Sequence, residues 1–307
     1  MAKEIERISF DDQIRSNKIK SVVMMFIIFV SFILLGYLIS LALDPSYFFV
    51  IMIFAIIFST IYTIAGYYNS DKIALASVNA KPASMENHRM LFHATESMSI
   101  ASGLPMPRLY VMESEQINAF ASGRDPKNSV LCFTTGALKK LNKQELEGVV
   151  AHEMSHIANF DIRFMTLTAV LVGMIAIVSE VFLRSLWFSS HGGGGDDNKG
   201  KSQAIFLLIA IVLAILAPIL TQLVSLAISR KREFGADATA VKLTRYSPGL
   251  KSALERIKDE TVSVRDTKKY SKTLAPLFIS DPFKKKISGL FSTHPPIDER
   301  IRRLERM

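Results

Sequence analysis

The chain alternates between long apolar runs that carry no charge and segments dense in Lys, Arg, Asp and Glu. Val22 to Leu43 holds 22 residues without a charge, and Tyr47 to Tyr68 holds another 22. Phe164 to Leu183 spans 20 residues with one ionisable group, Glu180, and Ala204 to Ser229 spans 26 with none. A helix rises about 1.5 Å per residue, so about 20 residues cross the roughly 30 Å hydrocarbon core of a bilayer. The pattern predicts four membrane helices rather than four buried core helices. A cleaved leader is not expected at the first run. It exceeds the roughly 7–15-residue apolar core of a signal peptide, and Glu4, Glu6, Asp11 and Asp12 spoil the basic start.

The polar segments show shorter periods. Met85 to Ala101 has helical spacing and stops at Gly103 and Pro105. Arg108–Met112, Asn118–Ser122 and Ser129–Phe133 read as strands, the last two joined into a hairpin by GRDPKN. A helix is predicted after Asn142, with Glu145 completing a capping box, running through LEGVVAHEMSHIANF. The tail contributes helices near Asp237 to Lys242 and Pro248 to Thr261, and an amphipathic one after Pro296. HGGGGDDNKG (His191 to Gly200) reads as a flexible linker, with His191 a solvated loop residue.

Composition then narrows the class. The 307 residues are 49% hydrophobic with a formal charge of +9 and a single cysteine, Cys132. That excludes a disordered chain and a disulfide scaffold. The charge follows membrane topology rather than nucleic acid, since no aromatic-basic interleaving or nucleic-acid motif is present. Lys3, Arg7, Arg15, Lys18 and Lys20 precede the first run, whereas Asp44, Pro45 and Ser46 carry no positive charge between the first two. Lys72, Lys81 and Arg89 follow the second run, and Arg230, Lys231 and Arg232 follow the fourth. By the positive-inside rule both termini and the 69–163 segment face the cytoplasm. Five regions result: an N-terminal arm at 1–21, a transmembrane hairpin at 22–68, and a catalytic part at 69–163. A second hairpin at 164–229 follows, with its external Gly-rich loop at 189–201, and then a second catalytic part at 230–307. Glu180 is read as a polar contact between helices or a group near the outer interface.

The chemistry centres on His152, Glu153 and His156, an H-E-x-x-H pattern. On a helix, positions i and i+4 share a face, so both imidazoles converge on one point and Glu153 stands beside it. Catalytic zinc takes three protein ligands and leaves one position open. The metzincin continuation fails, because Asn159 and Ile162 stand where Gly and His are required. The best third ligand is Glu233, immediately after the fourth apolar run. Asp237, four residues further on, could hydrogen-bond a ligand histidine's other nitrogen. Asp161 is its rival for that role; alternatively the two aspartates cap helices or pair with Arg230 or Arg163. If helix continues through both junctions, His156 and Glu233 stand roughly 12 and 6 Å from the third and fourth spans, on the same side.

HEMSH before one span, EFGAD after the next, NAFASG upstream and THPPIDERI near the end together resemble the HtpX-type membrane zinc metalloproteases. These are gluzincins related to the CaaX-processing membrane proteases. The resemblance implies a mainly α membrane protein: four transmembrane helices and a cytoplasmic α+β zincin-like domain. It implies one Zn2+ per subunit, held by His152, His156 and Glu233, with Glu153 as catalytic base. It also implies endoproteolysis of membrane or membrane-proximal proteins in envelope quality control, within the cell membrane and overlapping other membrane proteases. His294 in THPP is a candidate oxyanion donor, and Asn118, Ala119 and Phe120 a candidate edge for extended substrate. A CaaX-type prenyl-protein endopeptidase is the alternative enzyme, and a non-enzymatic zinc-binding membrane scaffold the alternative outside enzymes. His88 and His93 are read as surface or packing residues.

Overall fold

The computed structural model describes residues 10–42, 45–168, 230–260, 278–279 and 295–307. The first two elements are long helices, α1 (Phe10–Ala42) and α2 (Phe48–Tyr68). Their apolar windows, Ile14–Tyr37 and Phe48–Tyr68, are both long enough to cross a membrane. Phe49, Val50 and Phe54 of α2 are 76, 66 and 70% exposed, an apolar face suited to lipid rather than water. The pair packs through small residues, as membrane helices do. A Cβ on Gly36 would lie 2.4 Å from that of Ala55, and Ser59 Oγ donates to the Phe29 carbonyl at 2.8 Å. Of the third predicted span only Phe164 to Thr168 is described, as helix; the rest of it, the fourth span, Glu180, the 189–201 loop and His294 lie outside the described residues. Helix α1 begins well before Val22, so the expected N-terminal arm is helical from Phe10 onward.

A small α+β unit follows. Its elements are α3 (Ser70–Ser77), β1 (Lys81–Pro82), α4 (Arg89–Ser102), β2 (Arg108–Met112), β3 (Ala119–Gly123), β4 (Ser129–Thr134), α5 (Thr135–Lys140) and α6 (Lys143–Ala158). Helical residues 161–168 continue past α6. After the fourth apolar run come α7 (Arg230–Thr244), α8 (Ser247–Asp259) and α9 (Ile297–Leu304). Helix α4 starts at Arg89 rather than Met85 and ends at Gly103, whose φ of 70° is the left-handed conformation glycine adopts freely. Helix α7 is already formed at Arg230, ahead of the predicted Asp237, so Glu233 lies on it.

The sheet runs β1-β2-β4-β3. The predicted hairpin is present, with Phe120 opposite Cys132, and the Asp125 side chain accepts the Asn128 N–H at 2.9 Å in its turn. Strand β2 pairs with β4 in parallel. That crossover leaves β3 at the sheet edge, beside α6. Leu131, Phe133, Leu146, Val150, Met154 and Leu254 fill the core between the sheet and α6, α4 and α8.

Helix α6 is held at its start by the capping box that Asn142 and Glu145 form. Glu145 also accepts from Ser252 Oγ at 2.6 Å and Arg256 Nε at 2.7 Å, locking α6 onto α8. The crossing itself depends on glycine. A Cβ on Gly148 would meet the Leu250 nitrogen at 2.6 Å and its Cα at 2.8 Å, both backbone atoms. Forced overpacking of this kind costs about 1–3 kcal/mol. Gly148→Ala is therefore expected to lower the thermal unfolding midpoint of the detergent-solubilised chain, whereas Gly235→Ala, where a Cβ meets nothing inside a helix, should leave it no lower. Equal midpoints for the two variants would refute the close crossing.

Candidate metal centre

Positions 152, 153 and 156 fall in the last two turns of α6, where all three side chains are buried. The i, i+4 spacing brings His152 Nε2 and His156 Nε2 to 3.3 Å. Glu233, from the first turn of α7, faces them: Oε2 is 3.7 Å from His152 Nε2 and Oε1 3.6 Å from His156 Nε2. Two donors each about 2.0–2.1 Å from one tetrahedral ion stand about 3.3–3.4 Å apart, so the three groups nearly match a single zinc-sized cation. Among the described residues they form the one cluster of three or more such groups able to hold a metal.

Charge agrees with distance. Four buried carboxylates, Glu153, Asp161, Glu233 and Asp237, surround the point, and two guanidiniums, Arg232 and Arg300, contact them. With neutral imidazoles this leaves two negative charges, which one divalent cation balances. The field is visible on His156. Burial alone would lower its pKa, but the Asp161 hydrogen bond and the Glu233 charge outweigh burial and raise it to about 9. Burial dominates at His152, with Arg300 adding, and its pKa falls despite Asp237.

Both aspartates that compete in the sequence for one role are engaged, each on a different histidine. Asp237 Oδ1 lies 3.0 Å from His152 Nδ1, and Asp161 Oδ2 lies 3.0 Å from His156 Nδ1. Each carboxylate thus fixes which ring nitrogen carries the proton and leaves Nε2 facing the centre. The arginines differ from those the sequence suggested. Arg232, not Arg163, stands 3.5 Å from Asp161, and Arg300, not Arg230, forms a two-pronged pair with Asp237.

Two contributors escaped the sequence reading. Asn17, on the extension of α1, donates to Asp161 Oδ1 at 2.7 Å and to the Asn159 carbonyl at 2.8 Å. Its partners lie more than a hundred residues away, and nothing local marks it. Arg300 had a readable signal. Ile297, Ile301 and Leu304 mark the apolar stripe of α9 at helical spacing, and Arg300 sits on that stripe.

Glu153 stands between the centre and the sheet edge. The Ala121 N–H of β3 bonds its carboxylate, and burial, reinforced by Glu233, pushes its pKa up to about 7 although His156 opposes this. Of the candidate substrate residues, Asn118, Ala119 and Phe120 line the same edge. The Asn118 side chain accepts the Ala119 N–H at 3.0 Å, and the Ala119 carbonyl points outward and accepts the Ile279 N–H at 2.9 Å. Phe278 forms an antiparallel bridge with Phe120, their rings edge to face at 5.3 Å. The outer side of β3 therefore already pairs with a piece of the same chain.

The model of a family described as Peptidase family M48 matches residues 85–307, which include α6, α7 and α9. The chain is similar to a protease HtpX homolog of Caldanaerobacter subterraneus subsp. tengcongensis, 46% identical over 83% of this chain and 84% of that protein. It is 41% identical to the Dictyoglomus thermophilum homolog over 97% of this chain and 95% of that one. The Streptococcus agalactiae serotype III homolog is 37% identical, over 96% and 99% respectively. A looser likeness is to the crystal structure of S. mikatae Ste24p, 19% identical with a TM-score of 0.47 over 94% of this chain and 65% of that one. With most of its length matched and identities this high, the chain belongs to peptidase family M48, among the HtpX-type proteases.

Proposed function

We propose that this membrane-associated metalloprotease is a multi-pass zinc endopeptidase that cleaves membrane and membrane-proximal proteins in quality control. The observation that carries the proposal is the convergence of His152, His156 and Glu233 beside a buried Glu153 and an edge strand. In this reading His152, His156 and Glu233 hold one zinc ion per chain. When bound, zinc supplies Lewis acidity, polarising a scissile carbonyl and making water nucleophilic near neutral pH. Glu153 takes the proton of the attacking water and delivers it to the leaving nitrogen. A carboxyl whose pKa sits at about 7 can do both near neutrality. Extended substrate adds to the outer edge of β3, reading backbone rather than sequence. The Ala119 carbonyl supports that mode, since it already accepts an extended segment's N–H. His294 is proposed to donate to the developing oxyanion.

The topology belongs to the same proposal. Four spans at 22–43, 47–68, 164–183 and 204–229 place both termini and the catalytic parts 69–163 and 230–307 on the cytoplasmic side. The arm 1–21 lies inside, and the loop 189–201 outside. The basic segments before the first run, after the second and after the fourth, and the uncharged link at Pro45 and Ser46, support this orientation.

Two measurements test the proposal. In Glu153→Gln, cleavage of a misfolded membrane protein should fall by about 10²–10⁴-fold while zinc content stays at that of wild type. A protein whose zinc is only a structural clip would behave as wild type, and loss of zinc from the variant would assign Glu153 to the ligand set. Orientation is read by thiol labelling. Cys132 is buried and its thiol pKa is pushed well up by that burial, so it stays silent. An engineered Ser46→Cys should react with an impermeant maleimide added to intact cells, and Lys3→Cys only after permeabilisation. The reverse pattern would invert the topology.

A further inference from the structure

Arg300 is 1% exposed, among the largest side chains that the fold buries completely. A guanidinium keeps its charge at any accessible pH, so its burial requires strong partners. Nε donates to Asp237 Oδ2 at 2.9 Å and Nη2 donates to Oδ1 at 2.7 Å, a two-pronged pair with one carboxylate. Nη1 stands 3.5 Å from Glu233 Oε2 and donates to the Ile279 carbonyl at 3.3 Å. Nη2 also lies 3.4 Å from His152 Nδ1. No step of the proposed hydrolysis uses this residue, and it comes from an element 63 positions beyond its carboxylate partner.

The arrangement has a directional logic. Asp237 Oδ1 is shared: it faces His152 Nδ1 at 3.0 Å and accepts from Arg300 at 2.7 Å. A carboxylate on a helix is free to rotate about its side-chain torsions, and one contact to an imidazole does not lock it. The second prong, onto Oδ2, does.

We infer that Arg300 is a positioning residue for the hydrolysis. It clamps the Asp237 carboxylate in the orientation that fixes His152, so that Nε2 stays aimed at the metal. The inference rests on the metalloprotease reading of the site. It assigns to the chain's last helix a part in holding the metal, although no residue of that helix is a ligand. Lysine cannot substitute, because an ammonium offers no planar fork for two parallel bonds.

The test uses the full-length, zinc-loaded protein in detergent, with Arg300→Lys, Asp237→Asn and the double variant. Transfer of zinc to a chelator is timed without substrate, alongside kcat, KM and thermal unfolding. For folded Arg300→Lys, zinc should leave about 10–100-fold faster, as when other groups that orient metal ligands are removed. kcat should fall while KM stays within about 3-fold, because the group orients a ligand rather than touching substrate. The double variant should lose zinc no faster than Asp237→Asn alone, within about 2-fold, because the arginine acts through that carboxylate. Wild-type zinc retention and kcat in Arg300→Lys would overturn the inference, and so would losses that add in the double variant. So would a lowered unfolding midpoint with unchanged kcat per folded molecule, or an unfolded Arg300→Lys beside a folded Asp237→Asn. Those outcomes make the arginine a strut of the fold. If wild type binds zinc but cleaves nothing, the protease reading fails while the zinc release times still judge Arg300.

Discussion

The structure is organised around a buried excess of negative charge. Glu153, Asp161, Glu233 and Asp237 are all almost inaccessible to water, and isolated carboxylates do not remain ionised in such a place. Each is tied to a compensating group. Asp237 and Glu233 meet Arg300, Asp161 meets Asn17 and Arg232, and Glu153 receives a backbone N–H from β3. Against the four carboxylates stand two guanidiniums, and the two negative charges left over make the centre a cation site rather than a closed salt-bridge network. A protonated His156 can hold one unit of positive charge there. A divalent ion holds two and satisfies three donors at once.

Meeting these charges draws in distant parts of the chain. The histidines come from one helix, but the carboxylates that orient them come from two others, and their supports from further elements still. Asn17 belongs to the helix whose later turns form the first apolar span, so the membrane arm ends in a hydrogen bond to the group that holds His156. Arg300 belongs to α9 and supports the group that holds His152. The two ligand histidines are thus braced from opposite ends of the sequence. The rigid platform is the α6–α8 crossing, where Gly148 allows backbone contact and Glu145 fastens the start of the ligand helix.

How much of this the sequence reveals follows from the range of each interaction. The His152–His156 pair is legible because both residues share one helix, and their geometry follows from 3.6 residues per turn. Glu233 is legible because it stands just after an apolar run, on the side of the membrane where the histidine pair is also expected. The capping box and the β3–β4 hairpin are equally local, and the structure contains both. Parallel pairing of β2 with β4 is not legible, because nothing in either strand specifies its neighbour. Nor does local pattern decide between Asp161 and Asp237, since neither aspartate sits in a recognisable spacing with its histidine. The two prove not to be alternatives. Arg300 lay in between: a charge on an otherwise apolar stripe declares burial, but not its partner.

The edge of β3 brings two requirements into conflict. Glu153 and both histidines must be shielded, so that fixed dipoles rather than water set their charges, yet a peptide has to reach them. An edge strand answers both, because it offers outward backbone groups that no neighbouring strand of its own sheet takes up, without opening the core. The outward carbonyl of Ala119 and the outward N–H of Ala121 are two such groups, and Ile279 and Glu153 respectively hold them. One side of a strand pairs with one extended partner at a time, since neighbouring strands sit about 4.8 Å apart. In the proposed binding mode a substrate backbone therefore takes the place of Ile279 on Ala119, and Phe278 leaves the ring of Phe120. The Arg300 bond to the Ile279 carbonyl makes that exchange a local one. The guanidinium gives up its bond to that carbonyl and keeps the two that hold Asp237.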